Sequence, residues 1–135
     1  MYTFETKIRV RYAETDQMGY VYYGNYATYY EVARVEMLRS LGTSYKAMED
    51  RGVMLPVTEL QVRYHKPILY DEEVRIRVSI PELPAVRIRF QYELFNQKGE
   101  LANYGETTLV FVDMKKNRPC RAPDDFLETL SPYFQ

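Results

Sequence analysis

One cysteine, one histidine and no tryptophan occur among the 135 residues. A lone thiol, Cys120, cannot close an internal disulfide, so packing must hold the chain, and a reducing compartment suits it. With His65 as the single imidazole, a zinc site would be built almost wholly from carboxylates, which is unusual for zinc. No metal or other cofactor is therefore expected. No serine stands in a Gly-x-Ser-x-Gly turn and no glycine-rich Walker or dinucleotide loop occurs, which sets aside serine-hydrolase, NTPase and Rossmann chemistry. Arg, Lys, Glu or Asp interrupts each apolar segment well short of the ~20 residues that cross a bilayer. No membrane span is expected. Residues Met1 to Lys7 carry charge where a signal peptide needs an apolar run, so the expected location is cytoplasmic. Charge of neither sign is in excess: 18 Lys+Arg oppose 19 Asp+Glu, leaving a formal net charge of -1. Such a chain has no overall field to gather nucleic acid or anionic lipid.

The chain has length for one core, and residues 1–135 are expected to form a single domain. Tyrosine is abundant: 14 Tyr accompany 6 Phe, and many of them crowd between Tyr12 and Tyr30. A phenol joins large apolar area to a polar tip that needs a partner, which suits a core, a ligand tunnel or a subunit interface.

Two periods organise the sequence. Residues 7–12 alternate polar and apolar, predicting a first strand with one wet face. A turn-rich stretch over 13–19 follows. Tyr22, Tyr26, Tyr29, Tyr30, Ala33 and Met37 then recur at helical spacing, with Glu31, Arg34 and Arg39 on the opposite, solvent face. Gly42 is placed to end this helix in a left-handed cap, and a further short helix is predicted within 43–51. Beyond Gly52, period-two patterns return around Val62 and Tyr64, over 74–80, over 86–94 and over 101–112, separated by turns at 81–84 and 96–99. Connections this tight require antiparallel neighbours. Pro123-Asp124-Asp125 opens a last short helix. The order is α+β: one long helix must cover the apolar face of a curved antiparallel sheet. Its open edges favour pairing with a second copy, as a homodimer or homotetramer.

The segment Asp16-Gln-Met-Gly-Tyr-Val-Tyr-Tyr-Gly-Asn-Tyr26 carries the chemistry. A carboxylate in a loop precedes the start of the long helix, whose free N–H groups and dipole can polarise a carbonyl and hold an oxyanion. Asp16 could activate water or attack directly. A thioester fits, because its thiolate leaves with little acid assistance. The residues alone also admit an Asp16 that merely caps a turn. His65, at a strand end in Arg63-Tyr64-His65-Lys66-Pro67, reads as a structural or exposed histidine outside the Asp16 loop and far from the helix start.

This segment resembles the 4-hydroxybenzoyl-CoA thioesterase-like branch of the hotdog superfamily, which includes acyl-CoA thioesterases associated with the Tol-Pal system. The matching residues are Asp16, Gly19, Val21, Tyr23 and Tyr26, continued by Tyr30-Glu31-x-Ala33-Arg34-x-Glu36-x-Leu38 and by Val62-Arg63-Tyr64-x-Lys66-Pro67 with Tyr70-Asp71-Glu72. The resemblance implies a hotdog fold, a long helix wrapped by a five-stranded antiparallel sheet. It implies Asp16 as nucleophile or general base and the backbone N–H of Tyr23 as the group that polarises the carbonyl. Many relatives carry His where this chain has Tyr23, a change that leaves the backbone role intact. Tyr26 and Tyr30 are the expected acyl-side contacts, and Arg87, Arg89, Lys115, Lys116 and Arg118 are candidates for the coenzyme A phosphates. The expected substrate is an acyl-CoA or an acyl carrier protein thioester. Two other functions compete: a non-catalytic acyl-thioester sensor or scaffold, and a 3-hydroxyacyl-thioester dehydratase. The dehydratase would need a His facing an acid, and the chain offers only His65.

Overall fold

The structure is a computed structural model describing residues 1–135. Its main sheet has five antiparallel strands in the order β1-β4-β5-β6-β3, formed by Tyr2–Arg9 (β1), Val57–Tyr64 (β3), Glu73–Ile80 (β4), Arg87–Phe95 (β5) and Leu101–Val110 (β6). The helix α1 (Tyr26–Ser40) lies across one face of it. Val74, Ile76, Val78 and Ile80 of β4 and Ile88, Phe90, Tyr92 and Leu94 of β5 point to that face and are buried. Their alternation with Arg75, Arg77, Arg89 and Glu93 is the period-two pattern made physical. The outer face is a lattice of exposed ion pairs, among them Arg75 and Arg77 with Glu5 and Arg89 with Glu82 and Glu106. Each exposed pair is worth only about 0–1 kcal/mol, so burial of the inner face, not this lattice, holds the sheet.

The long helix stops as its sequence predicts. Gly42 has φ +81°, its N–H donates to the Arg39 carbonyl at 3.0 Å, and the Thr43 N–H reaches back to Leu38 at 3.0 Å. That is the paired-bond cap for which glycine is preferred. At the other end the helix begins later than its tyrosine spacing suggests. Tyr22 lies outside it and is half-exposed, and a 3-10 turn over Tyr23–Asn25 leads into Tyr26.

Other expectations are corrected. The first strand runs Tyr2–Arg9 rather than 7–12, because Val10 turns inward to exchange backbone bonds with Glu72 and Asp71 while Arg11 and Glu14 close a 3-10 turn. Arg34 is not on a solvent face but 7% exposed, its guanidinium donating to the Tyr45 hydroxyl at 3.0 Å and the Tyr92 hydroxyl at 3.4 Å. Apolar spacing alone conceals this, since the phenols that receive the charge lie on the following helix α2 (Tyr45–Asp50) and on β5. The last long strand breaks at Phe111. Beyond it, β7 (Val112–Asp113) joins β2 (Val53–Met54) and β8 (Arg118–Pro119) in a small second sheet, before α3 (Asp124–Leu130).

Gly105 is the tightest point of the core. A Cβ there would lie 2.6 Å from the Tyr30 hydroxyl and collide with the Gln61 carbonyl. The absent side chain lets the Tyr30 ring lie against β6, stacked on Tyr92 with centroids 4.1 Å apart, its hydroxyl donating to Asn103.

Candidate active site

The loop before α1 is wound around one carboxylate. Asp16 donates its own N–H to the Tyr20 carbonyl at 2.8 Å and accepts the Gly19 N–H on its carbonyl at 3.0 Å. Its side-chain Oδ1 accepts the N–H groups of Met18 at 2.9 Å and Tyr20 at 3.2 Å. Gly19 makes the reversal with φ +77°, a conformation costly for any residue with a Cβ. This small loop is pinned from behind, Val21 N–H to the Ile68 carbonyl at 2.8 Å and Tyr70 N–H to Gly19 at 3.1 Å. Oδ1 is thus fixed by the loop, and no protein group donates to Oδ2. A carboxylate oriented through one oxygen with the other free is arranged to meet a ligand.

Seven residues on, at Tyr23, the chain enters the 3-10 turn. The N–H groups of Tyr23 and Gly24 open that turn, where no earlier carbonyl of the helix can accept them, and neither finds an acceptor elsewhere. Gly24 carries no Cβ, which would stand 2.7 Å from the Tyr22 ring. Asp16 and Tyr23 line a single cleft of about 320 Å³ together with Met18, Tyr20, Val21 and Tyr26 from the loop and helix. The far wall is Tyr64, His65, Lys66 and Pro67 from the end of β3. Burial, then the neighbouring Tyr64, raise the Tyr26 phenol to about 12, so it is a neutral hydrogen-bond donor at neutral pH.

Of the residues singled out from sequence, Asp16, Tyr23 and Tyr26 come together here. Tyr30 does not reach the cleft: it is wholly buried behind Tyr26, bonded to Asn103. Arg87, Arg89, Lys115 and Lys116 lie away from it. Arg87 opposes Val110 at the far end of β6, Arg89 is held by Glu82 and Glu106 on the outer face, and the backbone N–H groups of Lys115 and Lys116 cap the Asp113 carboxylate. The reading that sets His65 far from the helix start is overturned, because His65 lines the same cleft and stacks on Tyr104 at 5.0 Å. Antiparallel pairing of β3 with β6 returns the chain to the helix start, a closure that sequence separation hides. Tyr20, Tyr64 and Lys66 are further cleft residues that the spacing argument missed. Their signal was present in the Tyr64-x-Lys66-Pro67 block, which sits where a strand ends beside the loop.

A helix laid across an antiparallel sheet in this strand order, with a loop carboxylate sharing one cleft with Tyr23 at the helix start, defines a hotdog protein of the thioesterase kind. Residues 10–130 match the Thioesterase-like superfamily, and the chain belongs to that family. It is 32% identical over 120 residues to the acyl-CoA thioester hydrolase YbgC of Escherichia coli O157:H7, covering 89% of this chain and 90% of that one. Among solved structures, a DHNA-CoA thioesterase from Staphylococcus aureus superposes with a TM-score of 0.93 at 42% identity, over 99% of this chain and 92% of that one. BH1999 gentisyl-coenzyme A thioesterase superposes with a TM-score of 0.84 at 25% identity, over 93% and 98% respectively. No helix is long and apolar enough to cross a membrane.

Proposed function

We propose that the chain is an acyl-CoA thioesterase in which Asp16 is nucleophile or general base and the Tyr23 backbone N–H polarises the thioester carbonyl. The observation that carries this is the Asp16 carboxylate, fastened through Oδ1 with Oδ2 open, in one cleft with the unpartnered N–H of Tyr23. With the thioester oxygen on that N–H, the carbonyl carbon becomes electrophilic and the tetrahedral oxyanion is held where it forms. Asp16 Oδ2 then attacks the carbon, expelling coenzyme A as thiolate and leaving a mixed anhydride that water cleaves. Alternatively it takes a proton from the water that attacks. Both routes end in free acid and thiol.

The acyl group is assigned to the aromatic class. Tyr20, Tyr23, Tyr26 and Tyr64 line the cleft with Met18, Val21 and Pro67, giving ring edges and faces for offset stacking. The similarity to proteins named for DHNA-CoA and gentisyl-CoA supports the same class.

A homodimer through β3 completes the site. That strand is an open edge, and Val57, Leu60 and Tyr64 along it are half-exposed. The side chains of Arg87, Lys115 and Lys116 form no ion pair, but within one chain Arg87, opposite Val110, is seven residues along β6 from Asn103, which pairs with Tyr64 at the cleft. At about 3.3 Å per residue that is roughly 23 Å. A two-fold axis across β3 runs the partner's strand antiparallel and brings its far end beside this cleft, so the coenzyme A phosphates meet the partner's cations.

Thiol release from short, long and aromatic acyl-CoAs tests the reading. Wild type is expected to hydrolyse aromatic esters best, and Asp16→Asn to lose at least about 100-fold in kcat with its melting temperature retained. Wild type that binds these esters and releases no thiol would overturn the enzyme reading in favour of a binding or scaffold protein. An acyl carrier protein thioester cleaved faster than its CoA counterpart would reassign the carrier.

A further inference from the structure

Two residues before Asp16 stands a carboxylate used by none of the chemistry above. Glu14 has a side chain only 13% exposed. One oxygen accepts the Arg11 N–H at 2.8 Å and the Tyr29 hydroxyl at 3.0 Å, and the other accepts the Arg11 guanidinium at 3.1 Å. Its backbone carbonyl is just as fully used, accepting the Tyr22 N–H at 2.8 Å and the Asn25 side-chain amide at 2.8 Å. Three of these five contacts matter differently from the two that Arg11 makes. Arg11 lies upstream and its guanidinium is exposed, whereas Tyr22, Asn25 and Tyr29 all belong to the start of α1 or the turn leading into it.

Asn25 makes the point sharpest. It precedes the helix at the position where an asparagine side chain ordinarily accepts an N–H of the first turn. Here its backbone is already helical, at φ -81° and ψ -12°, and the side chain makes no such bond. It turns away from the helix to hold the carbonyl of Glu14. Tyr29 spends its phenol likewise, reaching from the buried face of the helix to the Glu14 carboxylate. A strand connection that needed only to be covered would not draw three groups of the helix start onto one residue.

We infer that Glu14, through Tyr22, Asn25 and Tyr29, is a positioning residue that sets the distance between the Asp16 carboxylate and the free N–H groups of Tyr23 and Gly24. This rests on the thioesterase reading for its catalytic consequence, though not for the latch itself. Thr15 is the single residue between Glu14 and Asp16, so a shift of the Glu14 carbonyl passes to the carboxylate with little slack. The thioester must touch both ends of that span at once. A misplacement of about 1 Å in such a pair can cost about 100-fold in rate. Burial raises the Glu14 pKa, but the bonds from the Arg11 N–H, the Arg11 guanidinium and the Tyr29 phenol outweigh it and hold the carboxyl below its usual value. The anion is therefore the form that holds the latch at neutral pH.

Glu14→Gln, Asn25→Ala and Tyr29→Phe test this in the full chain, with two independent readouts. In the ligand-free protein, amide hydrogen exchange at Asp16, Met18, Tyr20 and Tyr22 is expected to quicken at least 10-fold, while the amides of β4, β5 and β6 keep their rates. With the best CoA ester, kcat is expected to fall about 10- to 100-fold in Glu14→Gln, and less in the other two, with KM little changed. Adding Glu14→Gln to Asp16→Asn should slow the enzyme no further, since the effect runs through Asp16. Unchanged exchange in the loop overturns the latch whatever the kinetics. Unchanged kcat, a rise confined to KM, or an additive double variant overturns its catalytic role. Wild type without turnover sinks the thioesterase reading and this catalytic role with it, and the exchange data still decide whether Glu14 fixes the loop.

Discussion

Tyrosines serve two regions of this molecule in opposite ways. In the core, Tyr30 and Tyr92 are buried, stacked and bonded through their hydroxyls to Asn103, Thr107 and Arg34. At the rim, Tyr20, Tyr23 and Tyr64 are exposed around Asp16, and Tyr64 alone spends its hydroxyl on the backbone there, donating to the Tyr23 carbonyl at 3.3 Å. A phenol with its tip satisfied in a dry site contributes to stability. One whose ring and tip face a cleft can do its work only when something fills it. The difference teaches that the tyrosine-rich segment is not one feature: the crossover lies inside α1, between Tyr26 and Tyr30, one turn apart.

The comparison breaks most severely at Gly105. Gly105→Ala places a methyl against the Tyr30 ring and the Gln61 carbonyl, forcing the stack or β3 to move. Overpacking of this kind costs about 1–3 kcal/mol, and the backbone obstacle puts this site at the upper end. Urea unfolding should show the loss as a lower midpoint with unchanged slope. Tyr30→Phe comes next. Asn103 already has a buried side-chain nitrogen without a partner, and removing the phenol also strands its oxygen, at about 1–3 kcal/mol. Thiol release per folded molecule should be unaltered by Tyr30→Phe. If kcat fell without loss of stability, Tyr30 would belong to the rim after all.

Tyr64→Phe sharpens the contrast from the other side. Its hydroxyl is at the surface, so deletion should change stability by less than about 1 kcal/mol. The ring still packs edge-on against Tyr26 at 5.4 Å. What is lost is the restraint on the turn that presents the Tyr23 N–H. A fall of about 3-fold in kcat is expected, visible in single-turnover rates, with the melting temperature held.

These assignments also mark how far the sequence could be read. The α+β order, the antiparallel strands and the Gly42 stop follow from period, turn residues and spacing, which are local properties, whereas the five-stranded hotdog arrangement and the Asp16 motif were legible through the family resemblance. The errors fall where a residue's partner is distant in sequence. Arg34 looks solvent-facing until Tyr92, 58 positions away, is seen beneath it. His65 and Tyr64 look remote from Asp16 until β3 folds back beside the helix start. Tyr30 and Tyr26 share one helical stripe, and the room for Tyr30 against the sheet is left by the missing Cβ of Gly105, far away in sequence. The Glu14 contacts were equally hidden, since nothing in a lone glutamate announces that three groups from the entry and first turn of a later helix will converge on it.

The gentlest way to separate the two regions is alkaline titration. Burial, then the proximity of Tyr64, raise Tyr26 to about 12, whereas an unfolded tyrosine ionises near 10. A folded pKa above the unfolded one means that the stabilising contribution is complete below pH 10 and is lost as pH climbs from 10 toward 12. Tyr30 is shifted in the same direction, by burial first and then by its tyrosine neighbours, so the core adds to this alkaline loss. Stability measured by urea at intervals across that window should decline, and Tyr26→Phe should make the decline shallower while leaving its position near the same pH. Tyr26 sits at the boundary, buried yet lining the cleft, so a bound aromatic thioester analogue should push its ionisation still higher by replacing the water of the cleft with apolar surface. A Tyr26 titration unmoved by the analogue would place the acyl group elsewhere, away from the helix face that carries this ring.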